Sequence, residues 1–286
     1  MAESNLSHTH MKKYYLFVGV LSLTTFSLLT GCKSNDGAAM PAEDVIKDSA
    51  KSSTVTNLDL LMTKIPAPSE ISKELSKEGV QLNKAMLNPP DKGSSYSGTF
   101  QQAVNMGIFG ADLGYLASYN QMQDATAYMA QVAKLAAAIG ITSAYDQKLM
   151  DQFKSATTNK DSIDIVIQTA FDRAQKELYS NKRASTSTLI FSGGWIEGLY
   201  IATSLVKDEK NDKNADLYGK IWNHLYAFSY LQKALQDYKS NADCAKMLDT
   251  LQPLFDAAAK LNDGGLALKD IQSIQATVTA IRSKLI

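Results

Sequence analysis

Two carboxylates stand out for what surrounds them. Asp112 lies in Phe109-Gly110-Ala111-Asp112-Leu113-Gly114-Tyr115, and Glu197 in Gly193-Gly194-Trp195-Ile196-Glu197-Gly198-Leu199-Tyr200. Each is a single acid inside a glycine-broken apolar stretch, with Tyr115 and Tyr119 near the first and Trp195 and Tyr200 near the second. Were the two stretches to meet, acids and rings would line a polar pocket in which burial shifts carboxyl pKa values. Such a pocket could hold a small ligand, or serve a hydrolase or transferase through Asp112 or Glu197. The same acids could instead hydrogen-bond neighbouring helices or face solvent, and then they carry no chemistry.

Other reactive side chains are sparse. The chain has two Cys and three His, too few for a zinc ribbon or a multi-histidine metal site. His224, in Trp222-Asn223-His224-Leu225-Tyr226, would need three further carboxylate ligands to hold a metal, so a hydrogen-bonded or exposed ring is expected. No metal and no cofactor are expected. Neither a nucleophile elbow, a phosphate loop nor a His-Glu-x-x-His helix occurs, and Ser192 lacks a nearby base to activate it. Cys244 falls at an apolar helical position and reads as a buried, inert thiol. Tyr218, Tyr226, Tyr230 and Tyr238 recur at near-helical spacing and read as core before a carbohydrate platform. With 29 basic and 29 acidic residues, the chain lacks the basic surplus of a nucleic-acid binder.

The glycines around the two acids need their own explanation. Gly107, Gly110 and Gly114 follow at i, i+3 and i+7; Gly193, Gly194 and Gly198 interrupt the second stretch. Each interior glycine weakens a helix by ~0.8–1 kcal/mol against alanine, so the six together weaken theirs by about 5 kcal/mol. That is comparable with the whole net stability of a domain. Close backbone approach offsets such a loss, so the two helices are expected to cross near the centre of the fold.

The elements that must position these residues are helical. Five of the six prolines precede residue 91, and none occurs from Asp91 to Gln252. Ala125, Tyr128, Val132, Leu135 and Ile139 form one apolar stripe closed by Gly140; Ile163, Ile167, Ala170, Ala174 and Leu178 form another. A third runs Ile271, Ile274, Val278, Ile281 and Leu285 behind the Gly264-Gly265 break. Ser143 with Asp146 suggests a capping box, and Pro253 should kink or interrupt a helix begun near Asn241. No segment alternates like a strand. The expectation is an all-α domain over 58–286, an irregular bundle of about nine mostly antiparallel helices. Their expected spans are 58–64, 69–87, 98–119, 123–139, 144–156, 162–180, 186–206, 213–239 and 242–284, the last split by the glycine pair.

The N-terminal part reads as an address. Met11-Lys12-Lys13 is basic, and Leu16 to Thr30 is an apolar run of 15 residues, short for a bilayer span of roughly 20. The order fits a secretory signal, with residues 1–10 an upstream extension and translation beginning at Met1 or Met11. Leu29-Thr30-Gly31-Cys32 resembles the bacterial lipobox. That resemblance implies cleavage before Cys32, diacylglycerol on its sulfur, acylation (palmitate) of the new amino group and attachment to membrane lipid. Lys33 in place of an Asp implies the outer membrane. Residues 32–57 then form a lipidated Cys and polar tether with a mean reach of about 25–30 Å.

Lys64-Ile65-Pro66-Ala67-Pro68-Ser69-Glu70, Leu87-Asn88-Pro89-Pro90 and the two glycine stretches are similar to recurring signatures of a group of uncharacterised Bacteroidota lipoproteins. The similarity covers about residues 60 to 205 and implies compartment and helical fold, with no catalytic role. The function expected is a lipid-anchored envelope protein that binds a protein partner or small ligand.

Overall fold

A computed structural model describes residues 68–156, 160–261 and 265–286. The signal segment, Cys32, the tether and the helix expected at 58–64 lie outside the described residues, which all belong to one compact unit. Among them are nine α-helices and no strand: α1 (Pro68–Lys77), α2 (Gly98–Ser118), α3 (Met122–Ala138), α4 (Gln147–Ala156), α5 (Lys160–Ser180), α6 (Ala184–Leu205), α7 (Ala215–Asp237), α8 (Ala242–Ala258) and α9 (Leu268–Arg282). Two short 3-10 turns, Lys84–Met86 and Pro90–Ser94, sit between α1 and α2.

The centre is set by hydrophobic pattern. A helix apolar on every side must be surrounded. From Ala103 to Ser118 every residue of α2 is buried, and from Thr186 to Thr203 every residue of α6 except Phe191 and Tyr200. These two helices pack along each other, with α1, α3 and α5 also against α2, and α1, α5, α7, α8 and α9 against α6. Hydroxyls on the central pair bond back to the preceding turn, Ser118 to the Gly114 carbonyl at 2.8 Å and Ser192 to that of Thr188 at 2.7 Å. Their polarity is thereby satisfied inside the helix. The outer helices are one-sided: all residues of the three apolar stripes on α3, α5 and α9 are buried.

Helix ends follow local chemistry, and some differ from expectation. The helix expected over 69–87 stops at Lys77, because Gly79 takes φ +75° and turns the chain. Gly140, at φ +74°, ends α3 as expected, and the Ile141 N–H bonds back to the Ala136 carbonyl at 2.8 Å. At α4, Asp146 alone caps the Leu149 N–H at 2.8 Å. Ser143 is taken by Glu177 of α5, whose carboxylate accepts from its Oγ at 2.6 Å and from the N–H groups of Thr142, Ser143 and Ala144. Pro253 does not interrupt α8: the helix runs through it from an Asn241 cap that accepts from Asp243 and Cys244 N–H groups at 3.0 and 3.2 Å. Buried Leu251, Leu254 and Phe255 hold both halves of α8 to the core.

Candidate functional site

The crossing of α2 and α6 is made of backbone. A Cβ built on Gly107 would stand 1.8 Å from the Ile190 carbonyl oxygen, and one on Gly193 would stand 1.9 Å from that of Val104. No side chain, however small, fits at either position. Gly194 is looser, its Cβ position 3.2 Å from the Gly107 carbonyl oxygen. Gly110 is turned elsewhere, and a Cβ built on it would stand 2.3 Å from the tip of the Phe171 ring of α5. A three-residue step rotates a helix face by about 60°, so the glycine row of α2 serves two neighbours.

Beside the crossing, Asp112 of α2 and Glu197 of α6 meet, neither with any exposed surface, and their carboxyls share a hydrogen bond. Arg282, in the last turn of α9, grips Glu197 with a fork: Nε donates to Oε2 at 2.5 Å and Nη2 to Oε1 at 2.7 Å. Nη2 also donates to the Met86 carbonyl at 3.1 Å, and the guanidinium lies 4.3 Å over the Tyr200 ring. The Asp112 Oδ2 accepts the Asn88 N–H at 3.1 Å, while Oδ1 receives no donor among the described residues. That bare oxygen is where a proton belongs. Burial, then the Glu197 charge and the bond to it, push the Asp112 carboxyl well above the ordinary carboxylate range. Burial opposes the charge on Arg282, but Glu197 outweighs it and raises the guanidinium. The resulting set is a neutral acid, a carboxylate and a guanidinium with no net charge, the arrangement that a low-dielectric interior tolerates.

A second layer ties this set to the rest of the chain. Asn88 Nδ2 donates to Tyr96 Oη at 3.0 Å and to Asn105 Oδ1 at 3.4 Å. Asn105 in turn donates to the carbonyls of Gln101 at 3.0 Å and Leu285 at 2.9 Å. Residues from the 86–96 segment, α2, α6 and the C-terminal turn thus close on one buried network. Sequence reasoning missed Asn88, Tyr96, Asn105 and Arg282. For Arg282 a signal existed: it lies four residues after Val278, on the face of α9 that carries its apolar stripe. A cation there must have a buried partner.

Of the other candidate residues, Tyr200 lies under the Arg282 guanidinium, while Tyr115, Tyr119 and Trp195 make their contacts elsewhere. Tyr115 and Tyr119, with ring centroids 5.0 Å apart, clasp the segment after α1: the Tyr115 hydroxyl accepts from the Asn83 N–H at 3.0 Å, and that of Tyr119 donates to the Val80 carbonyl at 2.9 Å. Trp195 stacks on His224 and on Phe228 at 4.6 and 4.2 Å, and Phe228 continues onto Phe255. Gly114 and Gly198 are buried within α2 and α6.

His224 is buried and faces the Trp195 carbonyl through Nε2 at 3.0 Å. A carbonyl only accepts, so the proton sits on Nε2, and Nδ1 has no partner among the described residues. A second proton would be a buried charge with nothing to answer it, and burial lowers the imidazole to about 4. In the unfolded chain the ring titrates near its ordinary 6.5, so acid favours the unfolded state through the window between 6.5 and about 4. Measured by urea unfolding, the stability of His224→Gln relative to the parent should rise by about 3 kcal/mol between pH 7 and pH 4. A difference that stays constant with pH would show that the ring takes up its proton in the folded chain at the same pH as in the unfolded one.

Cys244 is buried against the Ser185 carbonyl, and burial pushes its thiol up to about 12, beyond easy ionisation. Of the tyrosines at 218, 226, 230 and 238, only Tyr218 is buried; Tyr226 is 66% exposed, because it sits opposite the core-facing side of α7. No group of three or more His, Cys, Asp or Glu is placed to hold a metal among the described residues, and no described helix is long and apolar enough to cross a membrane. Comparison of the chain with protein-family models, with curated proteins and with solved structures finds no match.

Proposed function

We propose that this chain is a lipoprotein of the cell envelope, held on the outer membrane through acylated Cys32, that acts by binding a protein partner or a small ligand and not by catalysis. The observation supporting a non-catalytic reading is the state of Asp112 and Glu197. Both acids are sealed from solvent, and their hydrogen-bonding capacity is turned inward on each other, Asn88 and Arg282. A general acid or base must reach the atom it protonates, within about 3 Å or through one water. The hydrolase or transferase reading has one feature in its favour, a proton held between two carboxyls as in acid–base dyads. Against it stands the absence of any exposed surface on either acid.

Membrane attachment supports the same role, since a tethered domain meets envelope partners at high local concentration without needing tight affinity. The test is lipidation followed by capture. Cells grown with an alkyne-bearing palmitate analogue should label the parent chain, and Cys32→Ala should lose the label and leave the detergent-partitioning fraction. An unlabelled parent would refute the anchor. Hydrolytic or transfer activity lost in both Asp112→Asn and Glu197→Gln, with folding intact, would refute the non-catalytic role.

A further inference from the structure

The segment between α1 and α2 lies over the carboxyl pair as a bound peptide would. It is flanked by Gly79 and Gly98, which take φ +75° and +78° and have nothing within 4 Å of their Cβ positions. Both turns therefore use glycine for its backbone angle and not for packing, and a dihedral change at either meets no neighbour. Among the described residues, the backbone of 81–96 hydrogen-bonds to other backbone only within that segment. Side chains of the body hold it instead. The Tyr115 hydroxyl accepts the Asn83 N–H, Asp112 accepts that of Asn88, and Arg282 donates to the Met86 carbonyl. The cover is thin: Met86, Leu87 and Asn88 are buried, while Ala85 and Pro89 on either side of them are exposed.

We infer that this strap is the chain's own occupant of a peptide-binding site, displaced by an extended segment of a protein partner that carries two adjacent apolar residues; the inference rests on the protein-partner reading proposed above. Leu87 is extended at φ −73° and ψ 157°, and Pro89 at φ −58° and ψ 133°. In extended chain the carbonyl of one residue and the N–H two residues on point to the same side. The Met86 carbonyl and the Asn88 N–H do so, and they meet a donor and an acceptor, Arg282 Nη2 and Asp112 Oδ2, each at 3.1 Å. Paired main-chain bonds of this kind hold an added peptide strand, and pockets for its side chains select it. Those pockets are the ones filled by Met86 and Leu87, 9% and 5% exposed. A carboxylate or phosphate would satisfy Arg282 but bring no N–H to the Asp112 oxygen, so the site selects an amide. Lifting the strap leaves the Asp112–Glu197 bond and the Arg282 fork in place, so it uncovers a binding surface and not a loosened acid pair.

The strap itself supplies the probe, a fluorescein-labelled peptide of residues 80–97 added to the full chain in detergent. In the parent the tethered copy competes at an effective concentration on the order of millimolar. Leu87→Ala weakens that copy by removing one apolar anchor, so anisotropy should show the peptide binding this variant roughly tenfold more tightly than the parent. The same peptide, methylated on the main-chain nitrogen of the residue matching Asn88, lacks the N–H and should lose that binding. In the parent, the Asn88 N–H should exchange through an opening insensitive to dilute urea, whereas Leu199 in α6 should exchange only through unfolding that urea promotes. Asn88 exchange that rises with urea as Leu199 does overturns the inference, because the strap then leaves only when the fold does; this measurement needs no substituted chain. A folded Leu87→Ala chain that ignores the peptide overturns it, and so does one that binds the methylated and unmethylated peptides alike. None of these outcomes bears on lipidation at Cys32 or on capture of a partner elsewhere on the domain, so the proposed function stands or falls separately.

Discussion

Gly107→Ala and Gly193→Ala are each expected to prevent the chain from holding its native fold, although alanine is the better helix former by ~0.8–1 kcal/mol. The added methyl would occupy space 1.8 Å from the Ile190 carbonyl oxygen or 1.9 Å from that of Val104. Overpacking among side chains usually destabilises by about 1–3 kcal/mol because neighbouring rotamers shift. Here the neighbour is the main chain of a central helix, and relief requires α2 and α6 to move apart along a contact buried on every side. Separation would also disturb the Asp112–Glu197 bond beside it. The expected loss is several kcal/mol, on the order of a domain's entire 5–15 kcal/mol.

Three controls make the comparison specific. Gly194→Ala meets a carbonyl at 3.2 Å and should be tolerated with a modest loss. Gly110→Ala meets a Phe171 ring that can swing aside, and should fall between. Gly219→Ala faces open space and should stabilise α7 by up to about 1 kcal/mol. Circular dichroism and urea unfolding of the five variants would settle the order; a Gly107→Ala chain as stable as the parent would show that the two helices do not touch.

Which parts of this arrangement can be read without coordinates follows from which forces are local. Helix spans on α3, α5 and α9 are legible because a one-sided stripe repeats the same burial decision every turn, and all its members are buried. The helix limits that moved, at Lys77 and before α4, are those decided by a competitor: a positive φ at Gly79, and a distant Glu177 that takes Ser143 away from Asp146. At the candidate site, the propensity loss at Gly107 and Gly193 and the isolation of Asp112 and Glu197 are visible in the chain. Their neighbours are not. Arg282 lies 85 residues from Glu197 in sequence, and Asn105 lies 180 from Leu285. Nothing periodic links such pairs, and only the packing of α9 on α6 brings the guanidinium to its acid. The aromatic residues illustrate the same limit: Tyr218 and Tyr226 share a spacing pattern, yet one is core and the other is solvent-facing because eight residues turn the helix by about 80°, enough to carry Tyr226 off the buried face of α7.

Arg282→Met should be the most damaging side-chain change, and Asp112→Asn among the mildest, although the two residues belong to one network. Removing the guanidinium leaves Glu197 buried with a charge and no cation, and breaking such a pair destabilises by about 3–5 kcal/mol. Acid should restore part of the loss in Arg282→Met, because a second proton neutralises the pair. Glu197→Gln combined with Arg282→Met should be less unstable than the two single losses added together, since the residues act on one another. Asp112→Asn keeps the shape and neutrality of the protonated acid. Its effect on stability is set by pH. In the unfolded chain Asp112 ionises near the ordinary 3.8, whereas the folded carboxyl holds its proton well above that. Below the first value both states carry the proton and the carboxyl gives its full contribution. As pH rises beyond it the unfolded chain releases the proton first, so stability declines by about 1.4 kcal/mol per pH unit until the folded carboxyl also titrates. His224 acts in the opposite direction between about 4 and 6.5, so in the parent chain the two groups offset one another wherever both titrate. Asp112→Asn removes the decline and should become relatively more stable as pH rises from 4 to 8. Parallel parent and Asp112→Asn curves would mean that Asp112 is ionised in the fold. The pair would then need a second cation beyond Arg282, and the account of a shared proton at the α2–α6 crossing would fail.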